Sequence, residues 1–332
     1  MTTIIHRAIR TVILTLFLLP AAARADIIFV NNVTGDDQFN GLASEIRTQI
    51  DGPVATIGRA VKIATGTDSI VIANTGEPYV ESVTLNRPDQ AGSEAYPIII
   101  EGNGATMRGA ARLPDGVWRR VGEGTYRYQP FRKGHYQLVV NGKVAVEARA
   151  DRSADAPPAL QPLQWCAHRG FVYFRIEPFT GAPDEQFKYI TDYEFEVPAL
   201  EVGLGLHNAR NVIVRNLNFE MFRLDGIAVT GNSRNVRLVN VRSTSNGRSG
   251  LSVAGASQVQ VGNLDLAGNR VAERLVLMKG RIVDMLESQV PPKPAPAPMG
   301  YDAPSATLRS NVVSDSTYRV NKSASAASMS RN

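Results

Sequence analysis

The chain has 332 residues, 43% hydrophobic and 20% charged, with a formal net charge of +5, enough to bury a core in one large domain or two smaller ones. Its single cysteine, Cys166, excludes an internal disulfide framework and any cysteine-based metal site; it reads as a small buried hydrophobe, with a reactive thiol as the alternative. No basic cluster with interleaved aromatics supports a nucleic-acid partner.

The chain opens with a basic start, "MTTIIHRAIR", an apolar run, "TVILTLFLLP", and small residues ending Ala23, Arg24, Ala25. The run falls short of the roughly 20 residues of a spanning helix, and an A-x-A site follows it. The expectation is a signal peptide over 1–25 and a secreted or periplasmic protein without a membrane span. Cleavage before Asp26 removes Arg7, Arg10 and Arg24, taking the charge to 5 − 3 = +2, so the basic balance says little about partners.

Over 26–109, "PVATIGRAVKIATG" (53–66) places Ile57, Val61 and Ala64 at helical spacing with Gly66 as a stop, predicting a short amphipathic capping helix. "DSIVIA" (68–73), "ESVTL" (81–85) and "YPIIIEG" (96–102) read as strands bounded by Gly, Pro and Asn. Residues 110–190 hold most of the aromatics, Trp118 and Trp165 included, in alternating runs such as "YQLVVNGKVAVEARAD". Its Asn141-Gly142 pair is a hairpin signal, which predicts an inserted small antiparallel β subdomain.

Over 191–269 the sequence repeats. Asn216, Asn240 and Asn263 lie 24 and 23 residues apart, preceded in register by "VIVR", "VRLV" and "VQVG", while "DGIAV" from Asp225 matches "SGLSV" from Ser249. Each unit is two or three short strands too thin to bury its own apolar side chains, so units must stack. The three asparagines are expected to ladder at a shared turn. A leucine-rich horseshoe needs an L-x-x-L-x-L spacing absent here, and a parallel β-helix fits better. Leu275, Met278, Ile282 and Leu286 then have helical spacing, predicting a terminal helix over 270–290 before a Pro/Ala/Ser-rich disordered tail, 291–332.

The segments "IIFVNNVTGDDQFNG" and "ATIGRAVKIATGTDSIVIANTGEPYVESVTL" resemble the amino-terminal opening of secreted bacterial right-handed parallel β-helix repeat proteins, the pectate lyase-like superfamily. Gly35, Asp37 and Gly41 match its first turn, and Gly66, Asp68, Ile70 and Val71 its strand entry; "GTD" stands where the pattern has "GD", and "GEPYVE" carries an extra residue. The resemblance implies an all-β, right-handed parallel β-helix (solenoid) and a monomer acting on or binding an extracellular polysaccharide, as lyase or hydrolase. A non-catalytic glycan-binding or surface-structural protein, or a shortened relative of an enzyme, is the alternative.

Hydrolysis on such a fold needs two carboxylates, and elimination needs a cation or metal plus a base. His207 lies where the insertion rejoins the coils and is the candidate base. Asp225 is the candidate acid, with Glu220 and Arg223 near it; Arg223 and Arg248, at equivalent turns, can hold an anionic sugar. Each is equally a turn or ion-pair residue. Arg149, Asp151 and Arg152 follow the hairpin and can overhang a cleft, and Trp118 and Trp165 can stack on sugar rings or fill the hairpin core. No cofactor motif is evident; Asp192, Glu194 and Glu196 alternate on one strand face and can take Ca2+.

Overall fold

A computed structural model describes residues 25–151, 153–178 and 187–289. The expected leader apart from Ala25, Arg152, and the tail from 290 onward lie outside the described residues. What is described is predominantly β-structure with parallel sheets and one α-helix.

The amino-terminal part runs through β1 (Ile27–Val30), α1 (Ile57–Ile63), β2 (Ser69–Ile72), β3 (Val83–Leu85), β4 (Ile98–Glu101) and β5 (Thr106–Arg108). Helix α1 forms where its apolar spacing placed it and buries Ile57, Ala60 and Val61 against the first strands. Its donors are satisfied from outside the helix: Thr56 Oγ1 accepts from Arg59 N at 3.0 Å, and the Glu81 carboxylate accepts from Ile57 N and Gly58 N at 2.8 Å each.

The insertion follows as β6 (Ala110–Arg112), β7 (Arg119–Gly122), β8 (Thr125–Tyr128), β9 (Val139–Val140), β10 (Lys143–Val144), β11 (Val146–Glu147), β12 (Gln164–His168), β13 (Phe171–Arg175) and β14 (Phe195–Pro198). These make two small sheets, β10-β9-β14-β6 and β11-β12-β13-β8-β7, antiparallel except for β11 against β12. The hairpin turns at Asn141 and Gly142, both with positive φ (49° and 75°). β14 closes the insertion by pairing with β6, Pro198 against Ala110, so it ends near 198 rather than 190. A pairing 88 residues distant in sequence set that boundary.

Then come β15 (Val202–His207), β16 (Arg210–Arg215), β17 (Asn218–Glu220), β18 (Asp225–Thr230), β19 (Arg234–Thr244), β20 (Ser249–Val253), β21 (Gln258–Asp265), β22 (Ala272–Val276) and β23 (Arg281–Asp284). One parallel sheet runs β1-β2-β4-β16-β19-β21-β23 and a second β3-β15-β18-β20-β22, while β17 pairs with the end of β19 and β5 pairs with β17. Val212 pairs with Val236, 24 residues on, and Val236 with Val259, 23 on, the period read from the sequence. Successive repeats thus stack strand on strand in a β-helix-like fold.

Alternation then builds the core: Ile28, Ile70, Ile100, Val214, Leu238 and Val261 form one buried column through consecutive strands. Asn216, Asn240 and Asn263 all turn in the left-handed region (φ 56°, 53° and 52°), and Asn263 Nδ2 donates to Asn240 Oδ1 at 2.7 Å. The ladder changes partner at Asn216, whose Nδ2 donates to Glu101 Oε1 at 2.8 Å. Further ladders escaped the sequence reading: Asn235 to Asn211 at 2.7 Å and Asn246 to Asn269 at 2.9 Å.

The helix expected over 270–290 does not form. Residues 272–276 and 281–284 are strands, paired with β20 and β21. The open edges of two sheets offer each backbone group a partner, and that outweighs a weak helical propensity. In this last repeat the inward columns turn polar: Arg274 stands against Leu251, Asp284 against Val261, and the two form an ion pair at 2.8 Å.

Candidate functional site

The candidate residues fall at two opposite corners of the repeat. At the first, the chain turns from β17 into β18 and from β19 into β20, and the insertion docks. Asp225 is the register partner of Ser249, which puts Arg248 beside it. Its carboxylate is fully buried and accepts from Arg248 Nε at 2.9 Å, Arg248 NH2 at 2.5 Å and Ser249 Oγ at 2.6 Å. The hydrogen bond that Arg248 donates to Asp225 raises the Arg248 pKa above its ordinary value. Gly226 follows because a Cβ there would stand 1.9 Å from Ser243 Oγ.

Arg223 does not join that pair. It donates to Glu201 Oε1 at 2.6 Å, as does Arg132 of the insertion at 2.6 Å. The hydrogen bond from Arg223, with Arg132 adding to it, holds the Glu201 carboxyl below its ordinary range. Arg108 bridges Glu220 on the coils and Glu196 on the insertion at 2.5 Å each, and Arg270 grips Glu147 of β11 at 2.6 and 3.0 Å. Gln137 Nε2 donates to Asn246 O at 3.3 Å. This corner is a docking seam whose charges are paired with one another.

The structure separates the expected base from the expected acid. His207 is the register partner of Thr230, while Asp225 begins the same strand, β18. Five residues of extended chain, about 17 Å, divide the two positions, so His207 cannot share a reacting atom with Asp225. A sealed Asp225 with both oxygens engaged is a structural carboxylate. One sequence cannot show that Arg248 folds back onto the preceding repeat.

The insertion residues are likewise redistributed. Trp165 is 2% exposed and donates its indole N–H to Ala145 O at 3.0 Å; Trp118 packs edge-on against Tyr128, with ring centroids 4.8 Å apart. Trp165 is sealed in the insertion core, and half-buried Trp118 packs against that core. Cys166 is fully buried, and burial followed by the charge of Glu147 pushes its thiol up to about 11. Arg149 and Asp151 are exposed, with Asp151 turned back onto Ser153 N and Oγ at 2.8 and 2.7 Å. Asp192 accepts from Tyr189 N and Glu196 faces Arg108, so the alternating acids do not converge; no metal-sized cluster of His, Cys, Asp or Glu occurs among the described residues.

At the opposite corner the second sheet turns into the first. His207 is exposed, with Nδ1 3.0 Å from Thr230 Oγ1 and Nε2 3.0 Å from Asn208 Nδ2. Beneath it Ser233 Oγ accepts from Ala209 N at 3.0 Å and Ser257 Oγ from Ser233 N at 3.2 Å, tying three turns together. Just past these turns two open depressions lie side by side. One, about 350 Å³, is lined by Glu94, Asn211, Asn235, Val236, Gln258 and Gln260. The other, about 450 Å³, is lined by Arg234, Ser257, Gln258, Lys279 and Arg281, among others. Gln258 belongs to both, making one groove across successive repeats.

Amide side chains donate and accept together, as sugar hydroxyls do, and guanidinium and ammonium groups match anionic oxygens. Among the described residues one carboxylate, Glu94, lines the groove, and no acid pair for hydrolysis lies there. Apart from His207 this corner was missed from sequence. Arg210 and Arg234 occupy the same place in the repeat and carried the signal; Lys279 and Arg281 were hidden by the helical spacing around them.

No family model matches the chain, and no curated protein matches it. Among solved structures it is similar to a glycoside hydrolase (TM-score 0.47, 14% identity, 71% of this chain and 65% of that one). A XylC complex with xylose gives 0.38 at 13% identity over 71% of this chain and 58% of that one. A GH136 lacto-N-biosidase from Eubacterium ramulus gives 0.30 at 12% identity over 80% and 32%. The chain therefore spans less than two thirds of the length of each.

Proposed function

We propose that this is an exported right-handed parallel β-helix protein of the pectate lyase-like kind that binds extracellular polysaccharide along the outside of its coils, without cleaving it. The observation that carries the reading is the groove joined through Gln258, where Asn211, Asn235 and Gln258 come from successive repeats: the two asparagines are ordered by their own ladder, and Asn235 Oδ1 and the Gln258 amide have no side-chain partner among the described residues. A long glycan laid across the repeats meets amides first and then the cations Arg234, Lys279 and Arg281. The test is affinity electrophoresis of the exported protein through gels containing acidic or neutral polysaccharides. Retardation that weakens in Asn235→Ala and Gln258→Ala is expected, and unretarded migration in every gel refutes the reading.

One observation favours cleavage: two carboxylates, Glu196 and Glu220, meet on the two ends of the Arg108 guanidinium at 2.5 Å each, and hydrolysis uses a carboxyl pair. Against it, both carboxylates are tied to one guanidinium and neither lines the groove. Incubation with the same glycans, with and without calcium, decides. New reducing ends lost in Glu220→Gln mean hydrolysis, and growth of 235 nm absorbance means elimination.

A further inference from the structure

We infer that the groove takes a linear polyanionic glycan, one bearing carboxylate or sulfate groups along its chain, read by a column of unpaired cations formed by Arg210, Arg234, Lys279 and Arg281. This rests on the proposed glycan binding and names its ligand class.

The selection comes from how other arginines of the coils are spent, Arg237 on Gln260 Oε1 at 3.2 Å and most on a carboxylate. Arg108, Arg215, Arg223, Arg248, Arg270 and Arg274 each have a carboxylate partner within 4.0 Å. Arg210, Arg234, Lys279 and Arg281 have none among the described residues, although they share one corner of the fold. Arg234, Lys279 and Arg281 line the same 450 Å³ depression, and Arg210 is the register partner of Arg234 on the strand before. Arg281 pairs with Gln258, the residue common to both depressions. Glu94 faces the neighbouring depression and is its only acidic lining residue.

Spacing decides between a small anion and a chain. Arg210, Arg234 and Arg281 start β16, β19 and β23, which are separated by one and then two strand steps in the sheet. At about 4.8 Å per step the column extends roughly 14 Å along the stacking direction. A single acidic monosaccharide cannot reach both ends, whereas a polymer laid across the repeats can. Neither depression has an aromatic lining residue, so bases would find no stacking platform. The column is local, because a formal charge of +5 over the whole chain gives little general attraction for polyanions.

The experiment measures binding of the exported protein to polygalacturonate, dextran sulfate, neutral dextran and duplex DNA over a range of NaCl concentrations. Both acidic glycans should bind, with affinity falling as salt screens the cations. Arg234→Ala/Arg281→Ala should lose about tenfold or more in affinity, while Arg119→Ala, an exposed insertion residue, should lose none. Preference for one acidic glycan tells carboxylate from sulfate recognition. Neutral dextran bound as well as the acidic glycans, with the double variant unaffected, overturns the polyanion inference and leaves glycan binding standing. No binding to any glycan overturns both. Preference for DNA overturns the glycan assignment, and free galacturonate competing as well as its polymer overturns the linear-chain element.

Discussion

Replacing Arg248 by Ala removes the partner of a carboxylate that has no route to water. Asp225 is 0% exposed, and its remaining contact would be the Ser249 hydroxyl. Leaving a buried charge unpaired costs about 3–5 kcal/mol. Asp225→Asn makes the opposite cut: it keeps the shape, and the Arg248 side chain, 29% exposed, can turn outward to water. That variant should lose about 1.5–3 kcal/mol, the worth of a hydrogen bond to a charged group. The order Arg248→Ala worse than Asp225→Asn is the signature of a structural pair, and polysaccharide binding should be unchanged in both. Urea unfolding followed by circular dichroism measures the difference, with coincident transitions by fluorescence as the check on two-state behaviour. The reasoning is refuted if Arg248→Ala unfolds with the wild type, or if either variant abolishes binding while keeping its stability.

Asn246→Ala should destabilise by about 1–3 kcal/mol, because Asn246 Oδ1 is the acceptor for the buried Phe222 N–H at 3.0 Å and its amide continues to Asn269; the same urea titration reads it. Glu201, whose folded pKa lies below the ordinary 4.5, contributes stability that is present above that value and lost as pH falls through the folded pKa. The melting-temperature gap between wild type and Glu201→Gln should therefore be open at neutral pH and close on acidification, and a gap that widens in acid contradicts the ion-pair assignment. The Cys166 thiol, pushed up to about 11 and fully buried, should resist a disulfide reagent at pH 8 in the native protein and react fully in denaturant. Rapid native labelling would contradict its burial.

Much of the repeat was legible because a column in a stack demands the same residue type at the same phase. Val212, Val236 and Val259 announce their pairing by spacing alone, as do the left-handed asparagines and the Asn141-Gly142 turn. The limits appear where a neighbour distant in sequence decides. The insertion boundary at Pro198 depends on Ala110. The last repeat was misread because Leu275, Met278, Ile282 and Leu286 satisfy a helical pattern as well as a strand, and only the exposed edges of β20 and β21 choose between them.

The sequence by itself determined the period, the alternating core and the chemical types available at each turn, since these follow from backbone geometry and local spacing. Which of those groups stay free was decided only by the tertiary structure. Arg248 and Arg234 look alike in the chain, yet one is folded against the buried Asp225 and the other faces an open groove with no carboxylate partner among the described residues. Charge pairing across repeats acts through space over a few ångströms, and a linear sequence does not record which carboxylates fall within that reach.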